Sequence, residues 1–341
     1  MRRVVVLGGT GFFGASAARL LRQRGITPVL ASRHPPSGLR VDAEDPASLR
    51  GALRPGDVVL DAAGPFQRRT PALVEAAMDV GFDLVDLADS LAYVRAVLAR
   101  FDAVRSAGIR VLPACSSVSA VSAALVAWSG VARPVRLSGF LVPSSRRMRG
   151  AATAAALLGS VGAPVEVLRG GRLVRRRGLE ETAGFPSGTP LGRVRGRLFE
   201  TPDPALLPAS HPTLRDVAWY VDVNVPGLGA LLGLAARRPA VRAAVERLLA
   251  PGMVVARALG RPRGGVACEV EGQDGEVARL ALSSRADAFL TAVVPATLAC
   301  ESLARGAHEG CGVLPPHLQV DPRQLLHRLE ELGIHLTRCW A

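Results

Sequence analysis

Glycines near the amino terminus have the type and spacing to hold a phosphate. In "GGTGFFG", Gly9, Gly11 and Gly14 give a G-x-G-x-x-G spacing, while Gly8, Gly11 and Gly14 give G-x-x-G-x-x-G. Either spacing alone is weak. Here the turn follows the apolar run "RVVVL" and precedes an amphipathic segment that stops at Gly25, the strand–turn–helix setting that gives such a turn meaning. One glycine makes the tight turn, a second lets the backbone approach a pyrophosphate, and a third lets the helix close onto the strand. The helix start then presents free N–H groups and the positive end of its dipole. Gly8, Gly9, Thr10, Gly11, Phe12, Phe13 and Gly14 are therefore expected to bind a dinucleotide.

The end of the second strand distinguishes NAD from NADP. An acidic residue there would accept from the ribose 2′-hydroxyl and repel a 2′-phosphate. "LASRHP" instead offers Ser32 and Arg33, a hydroxyl and a guanidinium whose fork geometry suits a phosphate, so NADP(H) is the expected cofactor. The alternative is that Arg33 is simply one of this chain's many arginines. Asp42, after the third strand, is placed to accept from the adenine amine.

The elements that must position these residues alternate through the first third. Strands are expected at 3–7, 28–32, 39–42, 57–63, 83–88 and 109–114, and helices at about 13–24, 45–53, 71–81, 91–108 and 119–128. Near-continuous apolar strands separated by helices describe a parallel sheet covered on both faces. Beyond residue 130 the pattern changes. "VRLSGFLV" (135–142) and "VAWYVDVNV" (217–225) read as strands, and 164–178 and 267–284 as hairpins turning at Gly170–Gly171 and Asp274–Gly275. Helices are expected at about 149–160, 237–249 and 286–305. The fold class is thus α/β: an N-terminal Rossmann-type doubly wound parallel sheet (1–130), then an α+β domain with a mainly antiparallel sheet (131–305). A tail (306–341) carries a helix at 320–334 that can pack back on the first domain.

Composition removes several alternatives. The 42 basic residues are all arginine, so there is no Schiff-base lysine, no P-loop lysine and no Tyr-x-x-x-Lys dyad. The formal charge of +13 is dispersed and reads as compositional bias, with no nucleic-acid partner expected. Five scattered cysteines without a C-x-x-C pair indicate neither a disulfide framework nor a metal site. No run reaches the roughly 18 apolar residues of a membrane span, and no secretory signal opens the chain. A cytoplasmic protein is expected.

"GGTGFFG", "LASR", "VVLDAAGPF", "LVDLADS", "AGIRVLPACSSVSAVS" and "GVLPPHLQVDPRQLLHRLEELGI" together resemble the saccharopine dehydrogenase-like NAD(P)-binding oxidoreductases, which include saccharopine reductase and trans-acting enoyl reductases. The resemblance covers most of the first 125 residues and returns near the C-terminus. It implies a Rossmann domain followed by an α/β domain that contacts substrate and often dimerises, hence a homodimer. The family's A-G-P-[YF] loop, near the nicotinamide end of the cofactor, falls on Ala63, Gly64, Pro65 and Phe66. One departure matters: "DLADS" stands where many relatives carry an acidic D-x-x-[GD]-E, which leaves the substrate class open.

In an open parallel sheet, ligands lie beyond the C-terminal strand ends. Asp89 and Cys115 sit at such ends and, with Tyr220, are the candidate catalytic groups. Asp89 is either a buried proton donor or a cap for the next helix, and Cys115 either faces the nicotinamide or is an inert buried thiol. Gln67, Ser116, Ser117, His211, Asp222 and Asn224 are candidate substrate contacts. In "WYVDVNV", Tyr220, Asp222 and Asn224 share one face, either a pocket lining or a solvated face. The function expected is an NADP-dependent oxidoreductase reducing a C=N, C=O or conjugated C=C bond of a small or apolar substrate. The alternative is a non-catalytic NADP-binding sensor or scaffold.

Overall fold

The continuous apolar runs of the first third become buried parallel strands. In the computed structural model, which describes every residue except 36–37, 148–156, 158, 187–188 and 341, the chain forms two units. These are Met1–Val121 with Ala292–Leu325, and Ser122–Thr291 with Leu326–Ala341.

The first unit contains β1 (Val4–Leu7), β2 (Val29–Ser32), β3 (Leu39–Arg40), β4 (Val58–Asp61), β5 (Asp83–Asp86), β6 (Arg110–Leu112) and the short strand Gly312–Val313. Their spatial order is Gly312–Val313, β6, β5, β4, β1, β2, β3, and every pairing is parallel. β1, β4 and β5 are buried at every position, as strands covered on both faces must be. From β1 the chain works outward to β3 and then returns to β4 on the other side. That reversal places a crevice beyond the ends of β1 and β4, the position where such sheets bind ligands.

Helices α1 (Phe12–Gln23), α2 (Pro46–Ala52) and α3 (Ala72–Val80) connect these strands. Asp45 caps α2, accepting from Ala47 N–H at 2.9 Å, with Pro46 in the first position where its missing N–H costs nothing. The single helix expected over 91–108 is instead two, α4 (Leu91–Leu98) and α5 (Phe101–Ser106). At the break, the Arg100 guanidinium folds back onto the Ala96 carbonyl at 2.8 Å and pairs with Glu75 of α3. A tertiary tie has interrupted a helical pattern.

α6 (Ala120–Ser129) leads to a nine-stranded sheet of β7 (Pro134–Val142), β8 (Pro164–Arg169), β9 (Arg172–Arg177), β10 (Thr182–Phe185), β11 (Val194–Phe199), β12 (Asp216–Val221), β13 (Gly264–Gly272), β14 (Val277–Ser284) and a last strand at His335–Trp340. With Gly312–Val313 counted as β15, that strand is β16. Only β12 and β7 run parallel, so the sheet is mainly antiparallel. Both expected hairpins are present, β8–β9 and β13–β14. β10, β11, β16 and α7 (Asp203–Ser210) carried no clear pattern in the sequence. The helix expected at 237–249 is α9 (Pro239–Arg247), and it is flanked by two helices that were not expected, α8 (Leu228–Arg237) and α10 (Leu249–Leu259). Pro239 separates α8 from α9, because the residue before a proline avoids the helical region, and Arg238 is extended. The helix expected at about 149–160 falls largely outside the described residues.

α11 (Leu290–Ala304) and α12 (Pro322–Glu331) complete the helices. The tail helix ends short of the expected residue 334. Gly333, at φ +74°, turns the chain into β16, which pairs with β14 and extends the second sheet. Among the described residues no helix is long and apolar enough to cross a membrane.

Candidate functional site

The glycine turn lies at the reversal between β1 and β4. Gly8 has φ +70°, and a Cβ there would stand 2.8 Å from the Ala62 carbonyl oxygen and 2.9 Å from Ala63 Cα, so the turn lies directly against the loop after β4. A Cβ on Gly14 would reach 2.2 Å from the Gly8 carbonyl oxygen. Glycine at this point lets the first turn of α1 sit against the Gly8–Gly11 turn. Gly11 stands at the N-cap of α1 with no side-chain cap, and the first turn holds no acidic residue, so the positive end of the helix dipole there is not offset by a carboxylate.

At the end of β2, the Ser32 hydroxyl is buried and has no hydrogen-bond partner, while Arg33 beside it is exposed. An orphaned buried hydroxyl implies a missing partner. Together with a glycine cradle that side chains would fill, it makes this edge fit a dinucleotide. Thr10 is exposed, and Phe12 and Phe13 pack edge to face with centroids 5.1 Å apart. Asp42 forms a local turn instead of standing free: one carboxylate oxygen accepts from Glu44 N–H at 3.0 Å, and its own N–H donates to Ser48 Oγ at 3.0 Å.

The loop Ala63–Phe66 is anchored from below by residues that sequence reasoning missed. Arg69 donates to the Ala63 carbonyl at 2.7 Å, pairs with Asp61 at 2.9 Å and also pairs with Glu44. Its guanidinium lies 5.7 Å from the centroid of the Phe66 ring, which in turn packs against Tyr93 at 5.3 Å. Asp61 and Asp86 end neighbouring strands in register and are both wholly buried. Burial pushes the Asp61 carboxyl up, and the Arg69 charge opposes without cancelling it. Burial raises Asp86 to about 7 even though Ala114 and Ala88 N–H groups donate to it at 2.7 and 2.9 Å. Burial, and then the charges of Asp86 and Asp61, push the Tyr93 phenol well above its ordinary range. A carboxylate closing an otherwise apolar strand, as in "VVLD" and "LVD", was the available sequence signal. Arg69 was hidden among so many arginines.

Two predicted site residues meet beyond β5. Gln67 Nε2 donates to Asp89 Oδ1 at 3.1 Å. Ser90, not Asp89, caps α4, accepting from Tyr93 N–H, so the capping alternative for Asp89 falls away. Asp89 is half-buried; burial raises its carboxyl and the Gln67 bond offsets this in part. Cys115 is wholly buried after β6, and burial pushes its thiol well up, which keeps it protonated and inert. Its N–H donates to the Asp86 carbonyl at 2.8 Å. Ser116 is buried and Ser117 half-buried in the same turn, between Ala114 at φ +52° and Ser119 at φ +75°.

The second unit holds the remaining candidates. Tyr220 belongs to a buried cluster with Phe140, Phe185 and Leu198, so its face of β12 is core and neither open pocket nor solvated surface. Its hydroxyl donates to Glu181 at 2.6 Å and accepts from Arg169 at 3.3 Å, and burial with Glu181 lifts it to about 12. Asp222 accepts from Arg195 and Asn224 N–H groups, both at 2.9 Å, and Asn224 donates to the Pro143 and Arg263 carbonyls. These two residues brace the backbone. His211 closes α7, its N–H donating to the Leu207 carbonyl at 2.8 Å.

No protein-family model matches the sequence, and no curated protein matches it significantly. Solved structures do match. Saccharopine dehydrogenase (L-Glu forming) from Saccharomyces cerevisiae aligns over 100% of both chains with a TM-score of 0.60 at 14% identity. GenD2 from gentamicin A biosynthesis, in complex with NAD, aligns over 100% of this chain and 97% of its own at TM-score 0.43 and 13% identity. A meso-dapdh mutant from Clostridium tetani E88 aligns over 95% and 98% at 0.45 and 12%. The last two scores are too low to bear on function. The fold is that of saccharopine dehydrogenase, as the sequence resemblance implied, and at 14% identity the likeness extends to the fold alone.

Proposed function

We propose that the protein is an NADP-dependent oxidoreductase of the saccharopine dehydrogenase-like kind, reducing a C=N, C=O or conjugated C=C bond of a small or apolar substrate. The observation that carries the reading is the cradle at the β1/β4 reversal, where no side chain fits at Gly14 and the start of α1 carries no capping side chain and no carboxylate. Gly8–Gly14 would hold the diphosphate, Ser32 and Arg33 the 2′-phosphate, Asp42 the adenine, and Ala63–Phe66 the nicotinamide end. Bound there, the nicotinamide supplies the hydride. Asp89, its carboxyl raised by burial and oriented by Gln67, is the group best placed to hold and give a proton. Ser116 and Ser117 would line the same strand ends. Tyr220, His211, Asp222 and Asn224 support substrate only through the frame they brace. The same reading expects a cytoplasmic homodimer.

NADPH oxidation measured against a panel of imines, ketones and enoyl thioesters tests this. Turnover of one class, lost in Asp89→Asn, is the expected result. Tight NADPH binding with no turnover on any class would overturn the enzymatic reading and leave an NADP-binding sensor or scaffold.

A further inference from the structure

Exposed apolar side chains are concentrated in one segment of the second unit. Of the ten large hydrophobic residues exposed among the described residues, six lie between 231 and 259: Leu231, Leu234, Leu248, Val254, Val255 and Leu259. Exposure reaches 61% at Leu248, 64% at Val254 and 59% at Leu259, and outside this segment the described residues expose only Met1, Phe101, Leu173 and Leu318. Val255 and Leu259 stand four residues apart on α10, and Leu248, seven residues before Val255, stands at its start. α9, between the other two helices, buries none of its residues. Clustered apolar exposure of this kind marks a surface that meets something other than water.

The charges of the segment select the partner. Residues 228–263 contain seven arginines and one acidic residue, Glu246, which is already paired with Arg242 at 2.8 Å. Arg238, Arg247, Arg257 and Arg261 are exposed around the apolar stripe. Two copies of this surface facing each other would set arginine against arginine. An anionic lipid surface instead offers hydrocarbon to the leucines and valines, and phosphates to the guanidinium forks. The helices are 10, 9 and 11 residues long. Each reaches only about 15 Å, half of a bilayer's hydrocarbon, so they can lie in the interface but not span it. We propose that α8–α10 form a peripheral docking surface for anionic membranes, with the leucine and valine stripe inserted at the headgroup boundary and the arginines on lipid phosphates.

Co-sedimentation of the full chain with phosphatidylcholine vesicles, with and without phosphatidylglycerol, tests this. Binding is expected only with phosphatidylglycerol and should weaken as salt rises. The triple substitution L248N/V255N/L259N is expected to lower partitioning at least tenfold, and Arg238→Gln or Arg247→Gln about fivefold each. All these positions are exposed, so an unchanged thermal unfolding midpoint serves as the folding control. No sedimentation with phosphatidylglycerol vesicles would overturn the proposal. So would binding to neutral vesicles alone, or a solution dimer that L248N/V255N/L259N dissociates, which would assign the surface to a second copy.

Discussion

Asp86→Asn changes one charge and little else. Asp86 is wholly buried at the end of β5; Oδ1 accepts from two backbone N–H groups, and Oδ2 has no partner. Asparagine keeps the accepting oxygen, removes the charge, and leaves the neighbouring Asp61–Arg69 pair in place. In the folded chain the carboxyl titrates at about 7, and in the unfolded chain near ~3.9. Between those values the folded state keeps a proton that the unfolded state has lost, so stability falls as pH rises, by up to about 1.4 kcal/mol per pH unit, and levels off above the folded value. From pH 5 to pH 9 the wild type should lose about 3 kcal/mol through this group, and the variant none of it. Urea unfolding of both proteins at pH 5, 7 and 9 measures this. The variant should gain on the wild type by about 3 kcal/mol across the range. Parallel pH curves would show that Asp86 ionises normally in the fold and would refute the buried, proton-holding carboxyl.

Arg69→Met should destabilise the first unit by about 3–5 kcal/mol, because the wholly buried Asp61 loses its charge partner; the urea midpoint reads this out. Gly14→Ala should abolish nucleotide binding in a titration, since a methyl 2.2 Å from the Gly8 carbonyl must push α1 off the turn. Gln67→Leu removes a bond that favours the Asp89 carboxylate, so its pKa should rise further and the high-pH limb of the turnover profile should move to higher pH. An unmoved limb would show that Asp89 does not set it.

Much of the first unit was legible because its strands are buried on both faces and so read as unbroken apolar runs, with glycine marking each turn. The glycine turn at Gly8–Gly14, Ser32–Arg33 and the loop at Ala63–Phe66 stood out because they lie at the C-terminal ends of strands. The buried ionic layer beneath them did not. Asp61 and Asp86 are one residue each at strand ends, and their pairing depends on the lateral order β1–β4–β5, which no local pattern encodes. In the second unit, β10 is only the four residues Thr182–Phe185, β11 is interrupted by Arg195, Gly196 and Arg197, and β16 follows a helix ended by Gly333, so no apolar run announced them. Tyr220 illustrates the limit of alternation. The period correctly separated two faces of β12, but both turned out to be buried, because Trp219 and Tyr220 each meet a packed layer.

A fluorescence titration of the wild type and Arg33→Ala with NADPH and with NADH bears most directly on the dinucleotide site. The wild type should bind NADPH more tightly, and the substitution should weaken NADPH roughly ten- to hundredfold, the worth of a charge-assisted contact, while leaving NADH nearly unchanged. No affinity for either nucleotide would contradict the site altogether.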